Sequence, residues 1–342
     1  SPDRVTGMKA VIPAAGQGTR LYPHTHTKPK AMVRLAGRPI LGHILVSLAE
    51  TPIDEVVVVV GGPMQDQIVE YATGEYGDRF AFTFVEQESA EGLGHSVYQA
   101  REAVGDESML IVLGDMLFQS GYRNFLDAHE SNGKTGASIG LKAVDEPQHY
   151  GVAEVDDGQI VGLVEKPDDP PSNLAISGVY IVEDSTALFE ALDHLIGNDL
   201  RGAGEEFQLT DALARMIEQG VALTKFEVQD WYDCGRPEAL LEANRVLLSK
   251  VETSDASRLD SSVVVPPVDF GNDVSVTNSV VGPNVSIDDG AEVRGSIVSD
   301  AIVGKNATLD RVNMDESIVG TNATIGGKPT NLNLGDNSSI DL

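Results

Sequence analysis

The stretch Met8-Lys9-Ala10-Val11-Ile12-Pro13, followed by Ala14-Ala15-Gly16-Gln17-Gly18-Thr19-Arg20-Leu21 and then by Lys28-Pro29-Lys30, decides the fold class. The first six residues read as a short buried strand, so the two glycines fall where a parallel strand turns toward its first helix. Backbone amides at such a turn can face an anion. Gly16 and Gly18 carry no β-carbon to hold a phosphate off the main chain, and Arg20 and Lys30 supply charge that a glycine loop lacks. The loop is not a P-loop, because G-x-x-x-x-G-K-[ST] is absent. Nor is it the dinucleotide fingerprint, whose third glycine would fall at Leu21. An ordinary strand-to-helix turn is the bland alternative; three cations beside the glycines favour a phosphate ligand.

Outward from that loop, short apolar runs alternate with longer segments of helical period as far as Lys250. Residues 55–60, 80–86 and 109–113 are strand-like, and 40–50, 65–71 and 93–104 are helix-like. Strand, helix and strand in repetition predict a parallel α/β sheet with ligands at the carboxyl ends of its strands, where the glycine loop and Gly114-Asp115 both sit. Between Gly136 and Tyr180 the pattern becomes strand-rich, in pieces at 137–143, 151–156, 160–165 and 175–181, and this insert could cover a second substrate. Residues 251–260 read as a linker. Beyond it, Val281-Gly282-Pro283-Asn284-Val285-Ser286, Val303-Gly304-Lys305-Asn306-Ala307-Thr308 and Val319-Gly320-Thr321-Asn322-Ala323-Thr324 repeat a six-residue pattern. Looser hexads begin at Val274, Ile287, Val293 and Ile325. Such a repeat builds a β-helix whose branched residues stack in inward rows.

The run Ala14 to Lys30 resembles the signature of the sugar-phosphate nucleotidyltransferases, and the closest resemblance is to the glucose-1-phosphate thymidylyl- and uridylyltransferases. It extends to about Lys250, with later motifs in the family's order. The resemblance implies a Rossmann-like, mostly parallel nucleotidyltransferase domain (8–250), then a short left-handed parallel β-helix (261–330) and a tail (331–342). It implies transfer of a nucleotidyl group from dTTP or UTP to glucose 1-phosphate, with release of pyrophosphate. Mannose-1-phosphate guanylyltransferase is the rival within the enzyme class, and a nucleotide-sugar-binding regulatory paralogue without turnover is the rival outside it.

The motifs acquire roles on that footing. Ala14, Ala15, Gly16, Gly18 and Thr19 would line the nucleotide, with Arg20 on the pyrophosphate side and Lys30 near the transferred phosphorus. Leu110-Ile111-Val112-Leu113-Gly114-Asp115 is a buried strand ending in an acid, a common way to hold Mg²⁺ against triphosphate oxygens. Trp231-Tyr232-Asp233-Cys234-Gly235 would deliver the second metal-binding carboxylate. Either acid alone could simply cap a turn. Val85-Glu86-Gln87 with Glu91-Gly92-Leu93-Gly94 resembles the base-reading segment, in which the Gln87 amide would present a donor and an acceptor and Gly92 would let the backbone approach. Tyr150-Gly151-Val152 and Glu165-Lys166-Pro167 resemble the sugar-phosphate pocket, Lys166 binding the phosphate and Glu165 the hydroxyls. Ser177-Gly178-Val179-Tyr180, Glu206 and Thr210-Asp211 also match positions near the sugar.

Composition narrows the partners. A net charge of −29, from 53 acidic and 24 basic residues among 342, excludes a nucleic-acid binder working through phosphate contacts. It conflicts with a triphosphate substrate unless the acids cover a solvated surface and the cations are kept in the site, which is the expectation for an extreme halophile. A merely acidic enzyme is the alternative. No apolar run reaches membrane-span length, residues 1–7 lack the apolar core of a signal peptide, and the single cysteine, Cys234, precludes an internal disulfide. A cytoplasmic enzyme without membrane or nucleic-acid partners is expected. No histidine follows His194, which argues against a histidine-dependent acyltransferase in the β-helix; that module is expected to join copies of the chain in a homo-oligomer or to bind an effector. Asn284, Asn306 and Asn322 head N-x-[ST] triplets at one hexad position, so turn geometry explains them better than glycosylation. His24 and His26 lack a third ligand, Gly133-Lys134-Thr135 only mimics a P-loop end, and Cys234 is expected to pack.

Overall fold

A computed structural model describes residues 7–341. The chain divides into two compact units, one holding the chain up to Val33 together with Arg38–Leu240, the other holding Arg34–Gly37 and the chain from Leu241.

In the first unit, β1 (Met8–Pro13), β2 (Glu55–Val60), β3 (Ala81–Glu86) and β4 (Ser108–Val112) pair in parallel in the order β3-β2-β1-β4. Alternate residues of β1, β2 and β4 are buried on both faces, which is why they read as continuous apolar runs. Val11, Val57, Val59, Met109 and Ile111 belong to the larger core cluster, which also takes in Val97, Leu188, Leu192, Leu213 and Met216 from helices. Ile12, Val58 and Leu110 are also fully buried, as are Ile44, Leu45 and Leu48 of the helix Ile40–Ala49. The expected helix over 93–104 is two pieces, Leu93–Tyr98 and Arg101–Val104, separated by a turn at Gln99 and Ala100.

The sheet continues past β4 but becomes mixed and mostly antiparallel. After the short strand β5 (Met116–Phe118), the strand-rich insert supplies β6 (Ala137–Ala143), β7 (Gly151–Asp156), β8 (Gln159–Glu165) and β9 (Leu174–Val182), and β10 (Leu223–Glu227) completes nine strands in the order β3-β2-β1-β4-β9-β6-β10-β8-β7. β9 is antiparallel to β4 and to β6, β6 and β10 are the one parallel pair in this half, and β7 and β8 form a hairpin turning at Asp157 and Gly158. Parallel pairing needs a long crossover, and this region has none between β7 and β8. A register shift in β9 between Ile176 and Tyr180 marks a bulge, with Gly178 at φ 83°. β11 (Trp231–Asp233) pairs antiparallel with β5, setting Asp233 opposite Met116.

In the second unit, short strands stack coil upon coil into three parallel sheets, as the repeats predict. The first rung, Arg258–Asp260, already lies inside the stretch that reads as a linker. Ser275 pairs with Glu292 and Glu292 with Thr308, steps of 17 and then 16 residues, whereas three strict hexads would give roughly 18. The shortened corners change which hexads stack. Ile287, Val303 and Val319 form one row, but Val281 belongs to another, between Val264 and Val298. Asn284, Asn306 and Asn322 all take left-handed corner conformations, at φ 61°, 55° and 60°, the turn role the sequence suggests.

Candidate active site

The carboxyl ends of β1 and β4 lie side by side, the Gly114 amide donating to the Pro13 carbonyl over 2.9 Å, and the cleft opens above them. It has two lobes. One, of about 630 Å³, is lined by Ala14, Ala15, Gly16, Gly18, Thr19, Lys30, Gln87 and Gly92. The other, of about 590 Å³, is lined by Tyr150, Gly151, Glu165, Gly178, Tyr180 and Asp233. Arg20, Leu93, Leu113, Asp115 and Lys166 line both. Residues expected around a nucleotide thus surround one lobe, residues expected around a sugar phosphate surround the other, and three residues expected at the reacting phosphates stand where the lobes meet.

Asp115 and Asp233 come together through the backbone. Cys234 N donates to Asp115 O over 2.9 Å at the end of the β5–β11 ribbon, and Asp233 Oδ1 accepts from Gly235 N at 3.0 Å. Lys30 contacts the Asp115 carboxylate directly, and both partners are mostly shielded from solvent. A β-carbon on Gly235 would lie 2.7 Å from Lys30 Nζ and 2.9 Å from Asp233 Oδ1, so this glycine leaves room for both side chains. Arg20 and Arg236 reach Asp233 Oδ2 at 3.6 and 3.9 Å. Four cations, Arg20, Lys30, Lys166 and Arg236, therefore converge on the cleft. Arg236 is a site residue that sequence reading missed; its only signal was adjacency to Asp-Cys-Gly.

Oxygen donors from two carboxylates suit Mg²⁺, which fills its remaining positions with phosphate oxygens and water. No group of three or more His, Cys, Asp or Glu side chains placed to hold a metal is found among the described residues. His24 and His26 contribute no such cluster. Cys234 is fully buried, and burial together with Asp115 and Asp233 pushes its thiol well above the ordinary range, leaving a packed thiol rather than a nucleophile.

In the second lobe, Glu165 Oε2 accepts from Thr210 Oγ1 at 2.6 Å, and burial raises the Glu165 carboxyl against the opposing pull of Thr210 and Lys166. Lys166 follows β8 at φ 44° and donates its amide to Tyr150 O at 2.9 Å, which turns its exposed side chain away from the strand line. Tyr180 is buried, and the bulge at Gly178 packs against Leu113 and Met116. Of the positions matched with less detail, Thr210 lines this lobe and Glu206 the first.

At three of the expected nucleotide positions the packing adds a constraint of its own. Gly18 has φ 64°, and a β-carbon there would strike Thr25 and Lys30; Gly16, by contrast, faces open space. Gly92 has φ 106°, and its missing β-carbon makes room for the Phe207 carbonyl. Gln87 Nε2 lies 3.3 Å from Gly92 O and 2.9 Å from His95 Nδ1, so both amide hydrogens have partners within the protein. Ser96, which sequence reading passed over, lines the first lobe with a buried Oγ that finds no hydrogen-bond partner among the described residues. The P-loop mimic is a helix end, where Gly133 N donates to Glu130 O.

The profile of the Nucleotidyl transferase family matches residues 9–250. The low-salt glycan biosynthesis nucleotidyltransferase Agl11 of Haloferax volcanii is 34% identical across 98% of this chain and 100% of its own length. A glucose-1-phosphate thymidylyltransferase of Streptomyces antibioticus is 30% identical, covering 98% of this chain and 99% of its own. Among solved structures, UDP-glucose pyrophosphorylase complexed with UDP-glucose superposes with a TM-score of 0.60 at 25% identity, over 72% of this chain and 100% of that one.

Proposed function

Because the chain belongs to the nucleotidyl transferase family, we propose that it joins glucose 1-phosphate to dTTP or UTP, forming dTDP- or UDP-glucose and pyrophosphate. One observation carries this reading: two lobes of similar size share Arg20, Asp115 and Lys166 at their junction. The names of the relatives supply the substrates, a glucose 1-phosphate and a thymidylyl or uridylyl group.

A phosphate oxygen of the sugar 1-phosphate attacks the α-phosphorus in line. The bond from that phosphorus to the bridging oxygen of the β-phosphate breaks, and pyrophosphate leaves with the electron pair. The nucleophile is already an anion, so no side chain has to remove a proton, and catalysis consists of positioning and charge neutralisation. Arg20 holds the pyrophosphate side, Lys30 the triphosphate beside the reacting phosphorus, and Lys166 the incoming sugar phosphate. Glu165 and the Gly151 backbone orient sugar hydroxyls, with Tyr150, Gly178 and Tyr180 shaping the pocket. Asp115 and Asp233 would hold Mg²⁺, which when bound neutralises charge developing on the phosphates. Before substrate arrives the same carboxylates serve as counter-ions for Lys30, Arg20 and Arg236.

The acidic surface belongs to this reading. Asp288 alone among the described acids is buried, so the excess negative charge lies at solvent while basic side chains gather in the cleft. A relative from Haloferax volcanii supports a salt-adapted enzyme. Loss of activity on dialysis into dilute buffer is expected, and unchanged fold and activity there would contradict it. No helix among the described residues is long and apolar enough to cross a membrane. We place the enzyme in the cytoplasm, where its triphosphate substrate is made, and assign the coiled unit to contacts between copies of the chain, which sedimentation would test.

Pyrophosphate release in high-salt buffer with Mg²⁺ tests the assignment, using dTTP, UTP, GTP, ATP and CTP against glucose, mannose, galactose and N-acetylglucosamine 1-phosphates. Turnover with a pyrimidine triphosphate and glucose 1-phosphate is expected. Turnover only with GTP and mannose 1-phosphate would make it a guanylyltransferase, and a folded protein silent across the grid would make it a binding paralogue.

A further inference from the structure

Gln87 follows β3, lines the first lobe and is only 8% exposed. Its Nε2 lies 3.3 Å from the carbonyl oxygen of Gly92 and 2.9 Å from Nδ1 of His95. A carbonyl oxygen can only accept, so Gly92 decides which end of the amide is nitrogen. With one amide hydrogen given to Gly92, the other goes to His95, whose Nδ1 must then present a lone pair while the ring proton sits on Nε2. Glu91 Oε2 lies 3.7 Å from that Nε2. Both hydrogens of the amide are thereby committed inside the protein, and Oε1 is the atom left for the cleft.

We propose that His95 is a positioning residue for base selection: by accepting from Gln87 Nε2, it holds the amide with Oε1 toward the base and so selects nucleobases that carry an N–H at the facing position. The inference rests on the proposed function and on a base lying beside Gln87, the position that the family resemblance implies. Uracil and thymine have a hydrogen on N3, which Oε1 accepts. Cytosine has a lone pair there, and two acceptors would face each other. A free amide would relieve that conflict by turning over and offering Nε2. Here the turn would set Oε1 against the Gly92 carbonyl and the His95 lone pair together, so it is opposed from two sides. Guanine also carries a hydrogen on its pairing edge at N1, so this device rejects cytosine but not guanine.

The imidazole is held in place by neighbours on three segments. Phe207 stacks on it with ring centroids 6.3 Å apart, and Arg201 lies over Phe207 at 4.3 Å while reaching Glu91 at 3.7 Å. Gln99, one turn on, donates to the His95 carbonyl at 3.0 Å; the same nitrogen stands 3.4 Å from His95 Nε2, a longer approach than the 2.9 Å at Nδ1 that sets the tautomer. Burial keeps the imidazole below its ordinary pKa, Glu91 opposes this and Arg201 adds to it, so the accepting form prevails at neutral pH. Acid puts a proton on Nδ1 and removes the acceptor.

The test is equilibrium binding of UTP, dTTP and CTP, by titration calorimetry in high-salt buffer with Mg²⁺, to the unaltered protein and to His95→Ala, His95→Asn and Gln87→Leu. The expected result is a preference for UTP and dTTP over CTP that falls about tenfold in His95→Ala, the size of one lost hydrogen bond, and is restored in part by His95→Asn, whose carbonyl can accept. The preference of the unaltered protein should also fall from pH 7.5 to 5.5, while that of His95→Ala stays flat. If both His95 variants bind all three nucleotides more weakly by the same factor, with the preference intact, while Gln87→Leu loses it, His95 has only a structural role. If Gln87→Leu keeps the preference as well, the base does not lie at Gln87, and the placement on which the inference rests fails with it.

Discussion

The main-chain amide of Cys234 donates to the carbonyl of Asp115 across 2.9 Å, and that bond places two acids from distant parts of the chain at one edge of the cleft. Each carboxylate already has a cation beside it, Lys30 at Asp115 and Arg20 at Asp233. Asp115→Asn and Asp233→Asn should each lower kcat by about 10²–10³-fold, and the double variant should lose much less than the product, since residues acting on one charge are not additive. Pyrophosphate release at saturating substrates measures this. Fully multiplicative losses would mean the two acids serve separate steps.

Arg20 is half exposed and its contact with Asp233 is 3.6 Å, so the pair adds little to stability, on the order of 0–1 kcal/mol. Arg20→Ala should lower kcat by about 10²-fold or more while leaving the melting temperature nearly unchanged. Near-normal turnover would remove Arg20 from the chemistry.

Part of this site was legible before any coordinates. The charged residues Arg20, Lys30, Asp115, Lys166 and Asp233 stand out because motifs in chain order mark them, and all five line the cleft. What sequence conveyed poorly was the reason for each glycine and the direction of each polar group. Nothing local to Gly18 or Gly92 reveals that Thr25, Lys30 and Phe207 occupy the space a β-carbon would take, because those neighbours arrive through tertiary packing. The donors of Gln87 are taken up by the Gly92 carbonyl and by His95, five and eight residues along, in a way no spacing rule announces. The fold shows the same division. Parallel strands were readable from apolar runs separated by helices, whereas the switch to antiparallel pairing depends on connection lengths in the insert, and the stacking of hexads depends on corner residues trimmed from the coil.

Ser96 has a buried hydroxyl facing the nucleotide lobe and no partner for it among the described residues. An unsatisfied buried hydroxyl costs about 1–3 kcal/mol. Ser96→Ala should therefore stabilise the free protein and weaken nucleotide binding, read by thermal unfolding with and without UTP. Lower stability of the free variant would show that the hydroxyl is already satisfied.

Glu165 supplies a pH dependence of known sign. Its carboxyl is raised by burial, so as pH climbs the unfolded chain releases this proton first and the native protein holds it longer. In that window the native state binds more protons, and the contribution of Glu165 to stability falls as pH rises from the ordinary glutamate value to the raised one, then levels off. Glu165→Gln should flatten this segment of the melting-temperature profile and gain stability at neutral pH, at the cost of weaker sugar-phosphate binding. A Gln variant that is less stable at neutral pH would mean that ionised Glu165 is held by more than Thr210 and Lys166.

In the proposed reaction the nucleotidyl group moves intact onto a sugar phosphate. The most direct measurement follows two labels in one reaction of dTTP or UTP with glucose 1-phosphate, one on the α-phosphorus and one on the γ-phosphorus. The α label should appear in the nucleotide sugar and the γ label in pyrophosphate, in equal amounts and only when the sugar phosphate is present. Release of the γ label as inorganic phosphate, or of the α label as free nucleoside monophosphate without sugar phosphate, would contradict it.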